Sequence, residues 1–522
     1  MSPARPRLQS PSFWPVEVQE LVRFALYDSL AQDFVASSCN RFFEPSHCND
    51  GDSGAPPRTR VRRGQGGSWA VLPAEWQRYF EAITDANERE ETLVELSRGG
   101  QALTGAPASL LDYLGHCRTL ALDRTCSDDP ILSFPSRQEG LPRPRPFVQG
   151  EKSYRERTAV EAEAKINIKN ALKAGKSPKK EHEVDRFGTL VAGIKAEGPL
   201  THCVDVGSGR AHLSRALACS PLDLHVLAID WSASQKSGAE RLDTILTDAR
   251  LAPTIGSLTH EVCSLDASGV ASTLGRWPPG GPTQATPPSL LVALHACGDL
   301  TPDAIKAFIS VAQPGAKAVF VGCCYNLQTP SLFPLSTFFR ELLPTNGEEP
   351  MNRSHLRLTP QAPPTWHLSP ASTAAWRAST LKLAYRARFE AELVAASPQI
   401  GPPETHRIGR VAECKSWETY RERAVRKLDD GTLGTVLPEL EVEGGVEGWE
   451  TALFLLRVFW TVRSWLGPPL ESLCVLDRFA LLCEGLEGEW DGEAKSTRRR
   501  VELVNLFEQA TGSLRNLALV VR

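Results

Sequence analysis

Between Cys203 and Ala218 the chain reads CVDVGSGRAHLSRALA, a short apolar stretch that meets Asp205, then two closely spaced glycines, then a helix-forming sequence. A buried strand that turns this tightly into a helix N-terminus is how an α/β sheet holds a nucleotide-like ligand, because free backbone N–H groups and the helix dipole converge there. The same alternation continues downstream. HCVDVGS is a first strand with AHLSRALA as its helix, and LHVLAID, ending at Asp230, is a second strand followed by the helical SGAERLDTILTDA. SLTHEVCSLD, ending at Asp266, is a third strand. SLLVALHAC is a fourth with TPDAIKAFISVA behind it, and AKAVFVGCC is a fifth. Strands alternating with helices of this length require right-handed crossovers, hence an α/β fold with a largely parallel sheet.

The C-terminal RRRVELVNLFEQATGSLRNLALVVR holds two strand-like runs joined by a short polar link, an antiparallel hairpin for the sheet edge. Parallel strands closed by such a hairpin distinguish the class I methyltransferase variant of the Rossmann-like sheet from the dinucleotide dehydrogenases. With 522 residues, the chain is long enough for two to four units. The expected plan is a helical accessory region over 1–150, the cofactor-binding core over 151–330, a mostly helical insertion over 331–485 and the closing hairpin over 486–522. Within the first region, SHCNDGDSGAPPRTRVRRGQGG reads as a loop or disordered insertion. In the insertion, GWETALFLLRVFWTVRSWLG carries Arg457 and Arg463, which argue for a buried or interface helix rather than a membrane one.

A net charge of −4 offers no global attraction to nucleic acid or to an anionic membrane, so a polyanionic partner would need a local basic patch. Lys165, Lys169 and Lys173 recur every four residues and would line one helical face, and Arg498 to Arg500 form a second basic cluster. Both have a plain reading as solvated surface; as phosphate-facing groups they favour RNA over protein as the partner. Thirteen cysteines without regular spacing point to a reducing compartment, and the N-terminus has no secretory apolar region. Cytoplasm is expected, with nucleus and mitochondrion open. No membrane association is expected, since no run of about 18 apolar residues occurs.

Gly207 and Gly209 leave room for a ligand near the backbone, and Asp205 can accept from the ammonium of an amino-acid-like cofactor. A dinucleotide fingerprint would need glycine where His212 stands; the D-x-G-x-G-x-A spacing favours S-adenosylmethionine over NAD. Asp230 is placed for the ribose hydroxyls and Asp266 for the adenine amine. At the ends of the fourth and fifth strands, His295, Cys297, Asp299, Tyr325 and Asn326 would face the acceptor. His295 would serve as general base or orienting group, bordering the cofactor as well. The plainer alternatives are a ligand-free glycine turn, a hydrogen-bonded core histidine, and aspartates that cap helices. His295, Cys297, Cys323 and Cys324 are a zinc-ligand set in principle. No paired C-x-x-C spacing supports one, so the cysteines are expected as small packing groups and no metal is expected.

The segments SPKKEHEVDRF, VDVGSGRAHLS, LHACGDLT and VGCCYNL, in that order and followed by FPLS, resemble the methyltransferase-like protein 25 family, which includes a paralogue named for a ribosomal RNA adenine dimethylase domain. LDRFALLCEGL and LRNLALVVR resemble its C-terminal end, so the likeness covers about 175–330 and 470–522. The resemblance implies an S-adenosylmethionine-dependent methyltransferase. Lys179, Lys180, His182 and Glu183 match the family's pre-strand motif, in which Lys180 would reach the cofactor carboxylate or a substrate phosphate; a helix-start role is the alternative. Base-amine methyltransferases usually carry Asn/Asp-Pro-Pro-Tyr/Phe after the fourth strand, whereas this chain has His295-Ala296-Cys297-Gly298. Adenine N6 chemistry is therefore not implied. A basic segment before the first strand and His/Cys after the fourth are similar to a tRNA ribose 2′-O-methyltransferase family, which keeps RNA open. The rival expectation is a non-catalytic protein that keeps the cofactor fold for binding within a complex.

Overall fold

The computed structural model describes residues 16–48, 58–63, 68–124, 126, 130–133, 176–219, 221–248, 256–277, 289–311, 315–343, 349–400, 408–412, 414–428, 437–487, 500–509 and 513–522. Lys165, Lys169, Lys173, Arg498 and Arg499 lie outside them. The chain divides into two units, one of Met1–Gln19, Leu122–Pro360 and Glu471–Arg522, the other of Glu20–Ala121 and Gln361–Leu470.

The first unit holds the sheet. Its principal strands are β1 (His202–Val206), β2 (His225–Asp230), β3 (Ser257–Val262), β4 (Ser289–Cys297), β5 (Lys317–Cys323), β6 (Val501–Asn505) and β7 (Leu517–Val521). A short strand, Pro130–Ser133, forms one edge, and the order from it is β6, β7, β5, β4, β1, β2, β3. Strands β1 to β5 pair in parallel, while β7 runs antiparallel to both β5 and β6. The chain therefore leaves the sheet after β5 and returns about 180 residues later to finish it.

The apolar runs of these strands are continuous because helices cover both faces. Helix α1 (Pro178–Ala196) starts where Ser177 accepts from the Lys180 N–H and Pro178 occupies the first turn. It buries Phe187, Val191 and Ile194 in one cluster with Cys203 of β1, Val226 of β2, Leu290 and Val292 of β4, and Val319 and Val321 of β5. Each such side chain contributes roughly 1.5–3 kcal/mol. Helix α2 (His212–Ala218) adds Leu213 and Leu217 to the same face. Between Val319 and Val321, Phe320 points to the other face and packs edge-on to Phe308 of the helix Leu300–Val311.

The third strand is shorter than its sequence suggests. It ends at Val262, because Asp266 caps the helix α3 (Ala267–Arg276) by accepting from the Gly269 N–H at 2.8 Å, and the approach to that cap leaves the sheet. The Pro130–Ser133 edge strand, with little alternation of its own, is recruited by its pairing to β6.

In the second unit the turn-rich segment after Arg41 is not all loop. Phe43–Cys48 and Arg58–Arg63 pair antiparallel, and Glu441–Val442 joins the latter in parallel. A partner almost 400 residues away is invisible to local propensity. The apolar stretch around Arg457 and Arg463 is the helix Gly445–Ser464. Arg463 is buried and donates to the carbonyls of Phe34 and Val35, while Arg457 donates to Thr380 Oγ1 and lies over the Trp376 ring. Among the described residues, no helix is long and apolar enough to cross a membrane.

Candidate active site

The glycine turn is held by its neighbour strand. Gly207 and Ser208 donate their N–H groups to the Ile229 carbonyl at 2.9 and 3.0 Å, and Gly209 donates to Asp230 Oδ2 at 2.9 Å. Asp230 Oδ1 accepts from the Ser232 N–H, so both carboxylate oxygens fix backbone at the end of β2. Gly207 and Gly209 have φ of 71° and 54°, a region that costs little only for glycine. Among the described residues a Cβ on Gly209 would meet nothing within 4 Å, which leaves a ligand room to approach there. Beside Asp230, Trp231 is 74% exposed, a flat apolar surface at the strand end that the sequence reading did not single out.

Asp205 ends β1 in the interior. Burial pushes its carboxyl up to about 6, against the opposing pull of the Ser214 hydroxyl, which donates to Oδ2 at 2.6 Å, and of Lys180. A buried acid without a full ionic partner is suited to a cationic group.

His295 lies near the end of β4 with φ of 62°. Its Nε2 is 2.9 Å from Oε2 of Glu183, which is almost wholly buried on α1. Lys180 and Lys179 stand 3.7 and 3.9 Å from the two oxygens of the same carboxylate. Burial works to raise the Glu183 carboxyl, but the His295 hydrogen bond and the charges of His295, Lys180 and Lys179 hold it below the usual range. Glu183 Oε1 is buried without a hydrogen-bond partner. Lys180 also acts electrostatically on Asp205, His212 and Cys297, so the field of this single ammonium reaches both the glycine-turn and the cysteine side of the site. Glu183 is the partner that sequence reasoning left without a role. The signal was its spacing, three and four residues beyond the two lysines on one helical face.

The remaining candidates divide. Asp299 accepts from the Thr329 N–H and hydroxyl at 2.7 and 2.6 Å, tying the turn after β4 to the loop after β5. Cys297 is exposed, with its Sγ 3.0 Å from Cys323 and 3.5 Å from Cys324. The hydrogen bond from Cys323 lowers the Cys297 thiol to about 6 against the effect of burial, and Cys323 is correspondingly raised. Asn326 is exposed. Tyr325, expected to face an acceptor, is instead buried beneath the Arg478 guanidinium, 4.6 Å from its ring centre, while Arg478 donates to Gln328 at 2.7 Å. Asp266, expected to meet an adenine amine, is exposed and occupied by its own turn: Ser264, Ser268 and the Gly269 N–H all donate to it.

A parallel sheet with the order found here, its glycine turn after β1 and acids ending β1 and β2, meets the profile of the family described as Methyltransferase domain, which matches residues 179–330. The chain carries a class I methyltransferase fold. It is a distant relative of the human "probable methyltransferase-like protein 25", 27% identical over 221 residues, covering 40% of this chain and 34% of that protein. The mouse protein of the same name is 27% identical over 235 residues, covering 42% and 35%. The match thus spans about a third of the length of these curated relatives. Similar solved structures include an rRNA methylase from Streptococcus thermophilus, 14% identical over 26% of this chain and 69% of that one, with a TM-score of 0.18. The O-methyltransferase TomG from Streptomyces achromogenes is 19% identical over 31% and 66%, with a TM-score of 0.21. The methyltransferase fold is one that binds S-adenosylmethionine, and the residues present fit that cofactor: open space at Gly209, a buried acid at Asp205, a second acid at Asp230 and an exposed indole beside it.

Proposed function

We propose that this chain is an S-adenosylmethionine-dependent methyltransferase whose acceptor enters beside the C-terminal ends of β4 and β5. The observation that carries the reading is the Glu183–His295 pair, linked to the glycine-turn side through Lys180, which pairs with Glu183 and acts electrostatically on Asp205. S-adenosylmethionine, when bound, supplies an electrophilic methyl group on a sulfonium. Asp205 receives the cofactor's ammonium, Asp230 its ribose hydroxyls and Trp231 the adenine face. Gly207 and Gly209 admit it to the backbone, and Lys180 takes the carboxylate end or a phosphate of the acceptor.

His295 is the general base. Its Nε2 is held by Glu183, and Nδ1 has no protein partner among the described residues. A buried carboxylate behind the ring orients it and stabilises the imidazolium that forms when it takes the acceptor's proton. Cys297 and Asn326 border the acceptor, and Asp299 ties down the loop that carries Asn326. Most of the acceleration comes from orientation.

RNA is the favoured acceptor over protein. Burial depresses the His212 imidazole to about 4, and the charges of Lys176, Arg215, Lys180 and Arg210 add to it, a cluster of cations that supports a phosphate-attracting margin next to the turn. Two experiments test the reading. Isothermal titration of the intact chain with S-adenosylmethionine should show saturable binding, and its absence would favour a non-catalytic scaffold. Labelled cofactor incubated with cell extract should mark material that ribonuclease removes and protease leaves; the reverse pattern overturns the RNA preference. We further assign the protein to the cytoplasm, since its thiols suit a reducing compartment.

A further inference from the structure

The chain has no C-x-x-C pair around its acceptor-side cysteines, yet the fold assembles three sulfurs there. Cys297 and Cys323 are register partners on the neighbouring strands β4 and β5, and the Sγ atoms of Cys297, Cys323 and Cys324 all lie within 4.8 Å of one another. We propose that Cys297, Cys323 and Cys324 form a binding site for a thiophilic divalent cation, with zinc the best chemical match.

Three observations support the assignment. In tetrahedral zinc sites the metal–sulfur distance of about 2.3 Å puts neighbouring sulfurs roughly 3.7 Å apart. The separations from Cys297 to Cys323 and Cys324, 3.0 and 3.5 Å, are within an ångström of that, so the triangle needs only to open slightly. Second, consecutive strand residues point to opposite faces, which would separate Cys324 from Cys323. Cys324 instead has φ of 48°, a conformation unfavourable for a side chain with a Cβ, and this turn returns its sulfur to the cluster. Third, binding would release the thiol protons to solvent and leave three thiolates around a divalent ion, a net charge of −1. The charges of Lys180 and His295 act on Cys297, and that of Arg515 on Cys324, in the direction that favours a thiolate.

Cys323 is buried and Cys297 exposed, so the site is closed on one side and open on the other. Three protein ligands with an open position are the donor count of a reactive zinc site rather than a purely structural one. On the methyltransferase reading the open position borders the acceptor, but the metal site is argued from sulfur geometry and is tested without activity.

The test uses the full, reduced chain under anaerobic conditions, titrated with Co²⁺ and then Zn²⁺. A sulfur-to-cobalt charge-transfer band saturating at about one equivalent and bleached by Zn²⁺ is expected. Cys297→Ser and Cys323→Ser should each weaken binding at least about tenfold. Cys414→Ser, in the other unit, should not. Should either site variant fail to fold by circular dichroism, alkylation of Cys297 in the unmutated protein replaces it, and release of bound zinc is the expected result. No charge-transfer band at millimolar Co²⁺, a band unchanged in folded site variants, or zinc retained after alkylation would overturn the proposal.

Discussion

His295 Nε2 meets Glu183 Oε2 at 2.9 Å, and this contact joins the helix before the sheet to the end of its central strand. It pairs an imidazole at the mouth of the site with a carboxylate sealed behind it, and neither residue has that role without the other.

Glu183→Gln should therefore lower kcat by roughly 10- to 100-fold while the affinity for S-adenosylmethionine changes little, and it should move the acidic limb of the pH–rate profile, the limb that a general base sets. The same variant gives a readout independent of turnover. The folded Glu183 carboxyl is held below its ordinary range, so the stability it contributes is present above the unfolded pKa and is lost as pH falls through the depressed folded value. The melting-temperature gap between wild type and Glu183→Gln should shrink on acidification; a gap that does not change with pH would contradict the pairing.

Asp205 predicts a pH-dependent cofactor affinity. Its carboxyl, raised to about 6, is largely protonated below that pH in the free protein, whereas a bound ammonium favours the ionised form. Affinity should rise by up to about tenfold per pH unit between pH 5 and 6 and flatten above pH 7. Folding stability takes the opposite course: with its folded pKa raised, the contribution of Asp205 is full below the unfolded pKa and falls as pH rises through about 6. Calorimetric titration for the affinity and thermal melts for the stability, of wild type and Asp205→Asn across this range, check both signs, since the variant should lose each dependence.

Asp230→Ala removes the acid proposed for the ribose and frees the Gly209 and Ser232 N–H groups that it now holds. A charged hydrogen-bonding group is worth about 1.5–3 kcal/mol, so affinity for S-adenosylmethionine should fall roughly 10- to 150-fold. Trp231→Ala should weaken binding less and leave the melting temperature unchanged, because the indole is mostly exposed. Equal losses in the two variants would argue against separate ribose and adenine contacts.

Asp477 is a structural anchor rather than a reactive group. It is buried on the helix Gly467–Glu487 and accepts from the Leu335 N–H, the Ser336 N–H and the Ser336 hydroxyl at 2.7–2.9 Å. Asp477→Ala would leave those donors unsatisfied, and a loss of roughly 3 kcal/mol by denaturant melts is expected. Asp477→Asn, which keeps an acceptor oxygen and removes a buried charge, should cost much less.

The alternation of apolar runs and amphipathic segments, together with the glycine turn, was enough to read the parallel sheet and the closing C-terminal hairpin, because strand and helix periodicities and glycine's backbone freedom are local properties. The acids ending the first two strands were legible for the same reason. What lay beyond the sequence was every relationship between elements. Asp266 and Tyr325 carried plausible roles by position, but hydrogen bonds within a turn occupy the first and an arginine from a distant helix covers the second. Glu183 and His295 became partners only when α1 packed against the sheet, and Cys297 met Cys323 only through the register of β4 against β5. The chain's local chemistry determined that it folds as a methyltransferase sheet; only tertiary packing, which sets distances between residues far apart in sequence, decided which side chains share a site.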